Sequence, residues 1–206
     1  MKHLCLLLLL LAGCPATAMT LVEATVYLRN GTTETYRNAD RIELPRAGKP
    51  LKGLRNAFGK RRKVTYRPDE IDSVVCWHPR SPERRHKFRP SREIGWCWVY
   101  IETPCIGVHI YAHRGFTIHS NGGISPLKAS SWWGLSTTEV GIYLLKTDAT
   151  ELYALGDVGR RSQDAFRERI CRYIADDPAL CERIRSSNAS RSKTVAMLHD
   201  YHPSAH

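Results

Sequence analysis

From residue 22 the chain alternates: Val22, Ala24, Val26 and Leu28 are apolar, and Glu23, Thr25, Tyr27 and Arg29 separate and follow them. This is the two-residue period of a strand with one buried face. Asn30-Gly31 then leads into residues 32–36. The pair predicts a hairpin closed by a type I′ turn, whose two central positions both need positive φ. Further short strands are predicted at 41–44, 64–67 and 73–77, with Pro68-Asp69-Glu70-Ile71 as the turn before the last. Together these make a small twisted sheet or barrel.

The middle of the chain has the same character. Residues 95–102, 106–113, 116–119, 140–146 and 151–155 are rich in β-branched and aromatic side chains, with Thr103-Pro104, Arg114-Gly115, Asn121-Gly122-Gly123 and Thr147-Asp148 as turns between them. The period then changes. Phe166, Ile170, Tyr173 and Ile174 fall at i, i+4, i+7 and i+8 behind Ser162, a good N-cap. Asp177-Pro178 supplies a cap and a first-turn proline for a second helix that buries Leu180 and Ile184. The expected fold is α+β: predominantly antiparallel β, with a small N-terminal sheet or barrel, a second β region and a C-terminal helical subdomain. The expected divisions are a leader (1–18), an N-terminal β unit (19–78) with a long basic insert from Pro45 to Lys63, a basic Pro-rich linker (79–93), a second β region (94–158) and C-terminal helices (159–206).

The leader has its own pattern. Met1-Lys2-His3 precedes the apolar run 4–12, too short to span a bilayer and typical of an export signal. Two processing sites compete. Leu11-Ala12-Gly13-Cys14 resembles a bacterial lipobox, in which Cys14 is acylated, and Ala16-Thr17-Ala18 is an A-x-A site that would release a chain starting at Met19. The lipobox is preferred, since it sits directly at the end of the apolar run. The expected location is therefore lipid-anchored to an envelope membrane or periplasmic, with secretion as the alternative.

Charge then narrows the partners. The formal net charge is +11, and the leader takes only Lys2 with it. Basic residues concentrate in two clusters, one centred on Lys60, Arg61, Arg62 and Lys63, the other on Arg84, Arg85 and Lys87 among Pro79, Pro82 and Pro90. In a cytoplasmic protein such clusters suggest nucleic acid. An exported chain instead meets anionic envelope lipid and acidic polysaccharide, so these are the expected partners and nucleic acid is not. As plain solvated loops the clusters would only keep the chain soluble.

Candidate chemistry is sparse. Cys5 and Cys14 belong to the leader, leaving Cys76, Cys97, Cys105, Cys171 and Cys181. Five cannot all pair; Cys97 with Cys105, or Cys171 with Cys181, would close short loops in an oxidising compartment. Gly95-Trp96-Cys97-Trp98 superficially resembles the surroundings of a papain-like nucleophile, but such a thiol needs a helix N-terminus, and Cys97 belongs to a strand, on one face with Val99 and Ile101. Cys105, His109, His113 and His119 form a weak metal pattern. His109 and His113 lie four apart on a strand, about 13 Å, too far to share one ion, so no metal or other cofactor is expected. His109, Tyr111 and His113 are expected on the wetter face of the sheet. Trp96, Trp98 and Tyr100 share a face, as an exposed platform for sugar rings or as core, and Trp132-Trp133 form a second aromatic pair. Cys97, His109 and His113 are the least implausible residues for catalysis.

The leader, the Val26-Tyr27-Leu28-Arg29-Asn30-Gly31 hairpin, the Asp69-Glu70-Ile71-Asp72-Ser73-Val74 turn and strand, and the Tyr173-Ile174-Ala175-Asp176-Asp177-Pro178-Ala179-Leu180 helix pair resemble exported, lipoprotein-like proteins of Bacteroidetes-type bacteria. The resemblance is one of layout, and no established activity or catalytic residue comes with it. It implies that Asp72-Ser73-Val74 fits the O-glycosylation pattern of such bacteria. The function expected is a non-enzymatic binding or structural lipoprotein of the envelope; the alternative is a hydrolase of envelope or extracellular polymers with a Cys/His site.

Overall fold

Strand β1 (Leu21–Leu28) buries Val22, Ala24 and Val26 completely, as its alternation predicts. The computed structural model describes residues 21–46, 48–57, 59–127, 140–155 and 162–203; the leader with Cys14, and Trp132-Trp133, lie outside them. The hairpin into β2 (Thr33–Tyr36) forms with a different turn from the one expected. Only Gly31 has positive φ, at 84°. Its N–H donates to the Leu28 carbonyl at 3.0 Å, and the Leu28 N–H donates to the Thr32 carbonyl at 2.9 Å. This is a three-residue loop with a left-handed glycine, not a type I′ pair. Asn30 uses its Oδ1 instead, accepting from the Thr32 N–H at 2.9 Å and hydroxyl at 2.7 Å.

Strands β3 (Arg41–Glu43), β4 (Leu51–Ala57), β5 (Lys60–Tyr66), β6 (Ile71–His78), β7 (Ser81–Ser91), β8 (Gly95–Glu102), β9 (Ile106–Ala112), β12 (Val140–Lys146) and β13 (Tyr153–Ala154) join β1 and β2 in one sheet. Its order is β13-β12-β9-β8-β7-β6-β1-β3-β4-β5, with β2 also on β1, and the pairings are antiparallel. A separate hairpin pairs β10 (Phe116–Ile118) with β11 (Ile124–Pro126).

Two expectations are corrected. The insert at 45–63 contains β4 and the start of β5, and the linker at 79–93 is the eleven-residue strand β7. Its prolines deceive because Pro82 and Pro90 are each one residue from a strand end, where a missing N–H is tolerated. Between them Arg85, Lys87 and Arg89 alternate with Arg84, His86 and fully buried Phe88. With β7 in place, the two expected β regions are one continuous sheet.

The inner face holds two clusters. In one, Val22, Val26, Tyr36, Ile42, Val74, Phe88, Trp96, Trp98 and Ile110 meet, and Phe116 and Ile118 of the small hairpin pack on them. Phe116 lies edge-on to Phe88 and Trp98, with centroids 5.6 and 6.1 Å apart. In the other, Ile101, Val108, Ile142 and Leu144 meet the helices. Val108 and Ile110 alternate on one face of β9, so the helices cover one end of the surface whose other end is the first cluster. Tyr100 packs against both.

Among the described residues the helices are α1 (Gln163–Tyr173), α2 (Pro178–Ser186) and the short α3 (Arg191–Ala196), which runs into a 3₁₀ turn at Met197–Asp200. The caps are those predicted: Ser162 Oγ accepts from the Ala165 N–H at 3.2 Å, and Asp177 Oδ1 from the Leu180 N–H at 2.9 Å. Phe166, Ile170, Ile174, Leu180 and Ile184 are buried, each worth about 1.5–3 kcal/mol against exposure. A polar latch fixes the turn between α1 and α2 to the sheet and the C-terminal segment. Asp176 Oδ2 accepts from Lys146 Nζ at 2.8 Å and from the Tyr201 hydroxyl at 2.7 Å, and Asp177 Oδ2 accepts from the His202 N–H at 3.1 Å. The protein is thus α+β, mostly antiparallel sheet with a C-terminal helical region.

Candidate functional site

Opposite the core, cross-strand pairing sets up a row on the outer face of the sheet: Thr25, Val75, Lys87, Val99, His109 and Tyr143 are successive partners from β1 to β12. Beside it runs Arg89, Cys97, Tyr111 and Gly141. Simple alternation would put Ile101 on this outer face with Cys97 and Val99. Instead the register shifts between Val99 and Ile101, leaving Tyr100 as the extra residue. A bulge of this kind reverses the in-and-out phase of the residues beyond it. Ile101 therefore turns inward, 2% exposed, and Glu102 turns outward. There Glu102 accepts from Lys87 Nζ at 2.7 Å and pairs with Arg89 Nη1 at 2.8 Å.

The thiol and imidazole expected to be least implausible for catalysis both lie on this face and line one depression of about 280 Å³. The structure does not couple them. Cys97 is 1% exposed, its Sγ donates to the Gly95 carbonyl at 3.9 Å, and burial pushes the thiol up to about 12. His109 is buried, not on a wet face. Its ring folds over Gly107, where a Cβ would meet Nε2 at 2.7 Å. That direction leads away from Tyr111, the partner of Cys97. Burial, reinforced by Arg89 and Lys87 and opposed by Glu102, lowers the His109 pKa to about 4, so the ring is neutral near pH 7. His113 is exposed beyond the end of β9, 3.4 Å from the Tyr111 hydroxyl. A nucleophile needs an ionisable thiol within reach of its base, and this arrangement supplies neither.

The four residues of the metal pattern go separate ways. Cys105 packs toward the helices, His109 lies on the outer face, His113 is solvent-exposed, and His119 bonds Ser125 Oγ at 2.8 Å. Among the described residues no three His, Cys, Asp or Glu side chains gather to hold an ion. Trp96 and Trp98 are core rather than an exposed platform: they are 2% and 8% exposed, and Trp96 Nε1 donates to the Lys49 carbonyl at 3.0 Å, while Trp132-Trp133 lie outside the described residues. Ser73 is buried with its hydroxyl on Asp72, a position that a glycan cannot occupy in the folded chain.

The basic clusters are strands rather than loops, and they differ. Arg84 and Arg85 are neighbours on β7 and so point to opposite faces. The Arg84 stem lies over Gly122, and the Arg85 guanidinium sits 5.0 Å from the centre of the Trp77 ring. Lys60, Arg61, Arg62 and Lys63 belong to β5, which pairs with β4 from Leu51↔Tyr66 to Ala57↔Lys60. All four are exposed, as is Lys52, and among the described residues none of the five has an ion-pair partner. Lys52, Arg61 and Lys63 share one face of this ribbon, and Arg55, Arg62 and Lys60 the other.

At the base of the ribbon lies a polar group that sequence reasoning missed. Glu34 Oε2 accepts from the Tyr66 hydroxyl at 2.6 Å and from Arg55 Nη2 at 2.6 Å; the Tyr36 and Tyr66 hydroxyls are hydrogen-bonded, and Arg55 reaches Asp40 Oδ2 at 3.3 Å. The Tyr66 hydrogen bond does most to lower the Glu34 pKa. The Tyr36 ring lies over Gly53, where a Cβ would come within 2.5 Å. Gly53 inside the expected insert was the available signal, since a glycine within a strand marks a close approach. The chain matches no protein-family model, no curated protein and no solved structure.

Proposed function

We propose that the protein is an exported component of a bacterial envelope, anchored through Cys14, and acts as a non-enzymatic binding or structural module for polyanionic surface. The observation that carries this is the β4–β5 ribbon, whose Lys52, Lys60, Arg61, Arg62 and Lys63 are exposed and lack an ion-pair partner among the described residues. Like charges at this density repel one another, a cost relieved by counterions or by an anionic ligand. The address rests on the apolar run at 4–12 followed by Leu11-Ala12-Gly13-Cys14. No helix among the described residues is long and apolar enough to cross a membrane. The hydrolase alternative would need Cys97 and His109 to face each other, and they turn apart.

The test is binding of the purified protein to vesicles of phosphatidylglycerol, to vesicles of phosphatidylcholine and to an acidic polysaccharide, across a salt series. Binding to the anionic probes should weaken steeply with salt, because exposed charges are screened within about 8 Å at physiological ionic strength. Replacing Lys60, Arg61, Arg62 and Lys63 by glutamine should abolish most of it while leaving the melting temperature nearly unchanged. Binding that ignores both salt and these substitutions would overturn the proposal.

A further inference from the structure

The five cysteines of the folded region occupy very different places. Cys76 is fully buried on the inner face of β6, Cys97 is buried on the outer face of β8, and Cys105 lies in the turn between β8 and β9. The expected pair Cys97 with Cys105 is excluded by register. Cys97 stands opposite Tyr111, whereas Cys105 lies at the far end of the same hairpin, several residues at about 3.3 Å each and beyond the reach of a disulfide.

Cys171 and Cys181 are arranged otherwise. They lie on α1 and α2, separated by the short turn between these helices, and are 1% and 3% exposed. Cys171 Sγ donates to the Cys181 carbonyl at 3.5 Å, and Cys181 Sγ donates to the Cys171 carbonyl at 3.4 Å. This reciprocity brings both side chains and both backbones together at one point of helix contact.

We infer that Cys171 and Cys181 are a disulfide site that closes the turn between α1 and α2 when the protein is in an oxidising compartment. Both S–H bonds break and one S–S bond forms. Two electrons and two protons pass to an external disulfide, which is reduced to two thiols; oxidised glutathione or an envelope dithiol oxidase serves. The enclosed turn carries Asp176 and Asp177, which hold Lys146, Tyr201 and His202. The bond therefore fastens the segment that latches the helices to the sheet. Burial pushes the Cys171 thiol up to about 12, so the reduced pair exchanges slowly and reacts through local opening.

The inference about the bond does not depend on the export reading, and the experiment keeps the two apart. The purified protein is equilibrated for hours in oxidised or reduced glutathione, quenched in acid, unfolded, alkylated and digested. The oxidised sample should yield one cross-linked peptide pair joining Cys171 to Cys181, with Cys76, Cys97 and Cys105 alkylated. Its melting temperature should exceed that of the reduced protein by about 5–10 °C, as expected for a short closed loop. Cys171→Ser and Cys181→Ser should each remove the difference. Five alkylated cysteines after oxidation, or a different pairing, would overturn the inference. In a parallel arm the protein is isolated from its native envelope. A cross-link formed in vitro but absent there would leave the site intact and count against the oxidising address.

Discussion

The imidazole of His109 lies directly over Gly107, so closely that a Cβ at position 107 would stand 2.7 Å from Nε2. The two residues are neighbours on one face of β9, and the glycine makes room for a ring that is 6% exposed. Gly107→Ala should therefore displace the imidazole and destabilise the fold by about 1–3 kcal/mol, measured by urea unfolding. In a His109→Ala background the same substitution should cost much less. Equal costs in the two backgrounds would show that the contact is not what demands glycine.

Acid should weaken the protein through this same ring. In the folded state the His109 pKa lies at about 4, against 6.5 for the ordinary side chain. The folded chain thus holds fewer protons than the unfolded one between these values. Stability contributed by neutral His109 is complete above pH 6.5 and is lost as pH falls toward 4, up to roughly 3 kcal/mol. His86, also lowered by burial, acts with the same sign. His109→Gln should flatten much of the decline over this window; an unchanged slope would assign the acid sensitivity elsewhere.

The two faces of the ribbon should contribute unequally to anion binding. On one face of the ribbon the charged residues are the cations Lys52, Arg61 and Lys63, unpaired among the described residues, whereas on the other Lys60 and Arg62 stand with Arg55, which is held by Glu34 and Asp40. Replacing Arg61 and Lys63 by glutamine should weaken binding to phosphatidylglycerol vesicles more than replacing Lys60 and Arg62. Co-sedimentation at two salt concentrations decides between them, and identical losses would mean that only total charge matters.

Cys14 provides a separate test of address. Cys14→Ser should move the protein from the membrane fraction to the soluble fraction and abolish incorporation of a clickable fatty acid. A wild-type protein that takes up no label and begins at Met19 would assign release by signal peptidase.

What could be seen in the sequence was local. Ser162 and Asp177 announced their helices because a cap is a contact over three residues, and β1 announced itself by alternation. What escaped was non-local or masked by composition. In β7, prolines near both ends and a run of cations hid a strand whose inward residue, Phe88, packs against Phe116. The bulge at Tyr100 depends on pairing with β9, so the outward turn of Glu102 left no trace in the spacing of β8. For the catalytic candidates, residue types were visible, but the directions in which Cys97 and His109 point were not.

Strand β5 ends the sheet, so among the described residues one side of its backbone has no neighbouring strand and offers a template on which a second copy could add. Four consecutive cations along that border are a guard against such growth, since two approaching copies would bring like charges together. The guard is only as good as the charge is bare. A polyanion supplied near charge balance would neutralise it, and copies gathered along the same polymer should then associate border to border, while excess polyanion should separate them again. Occupancy and self-association would thus be linked, with turbidity rising and then falling as the anion is titrated in.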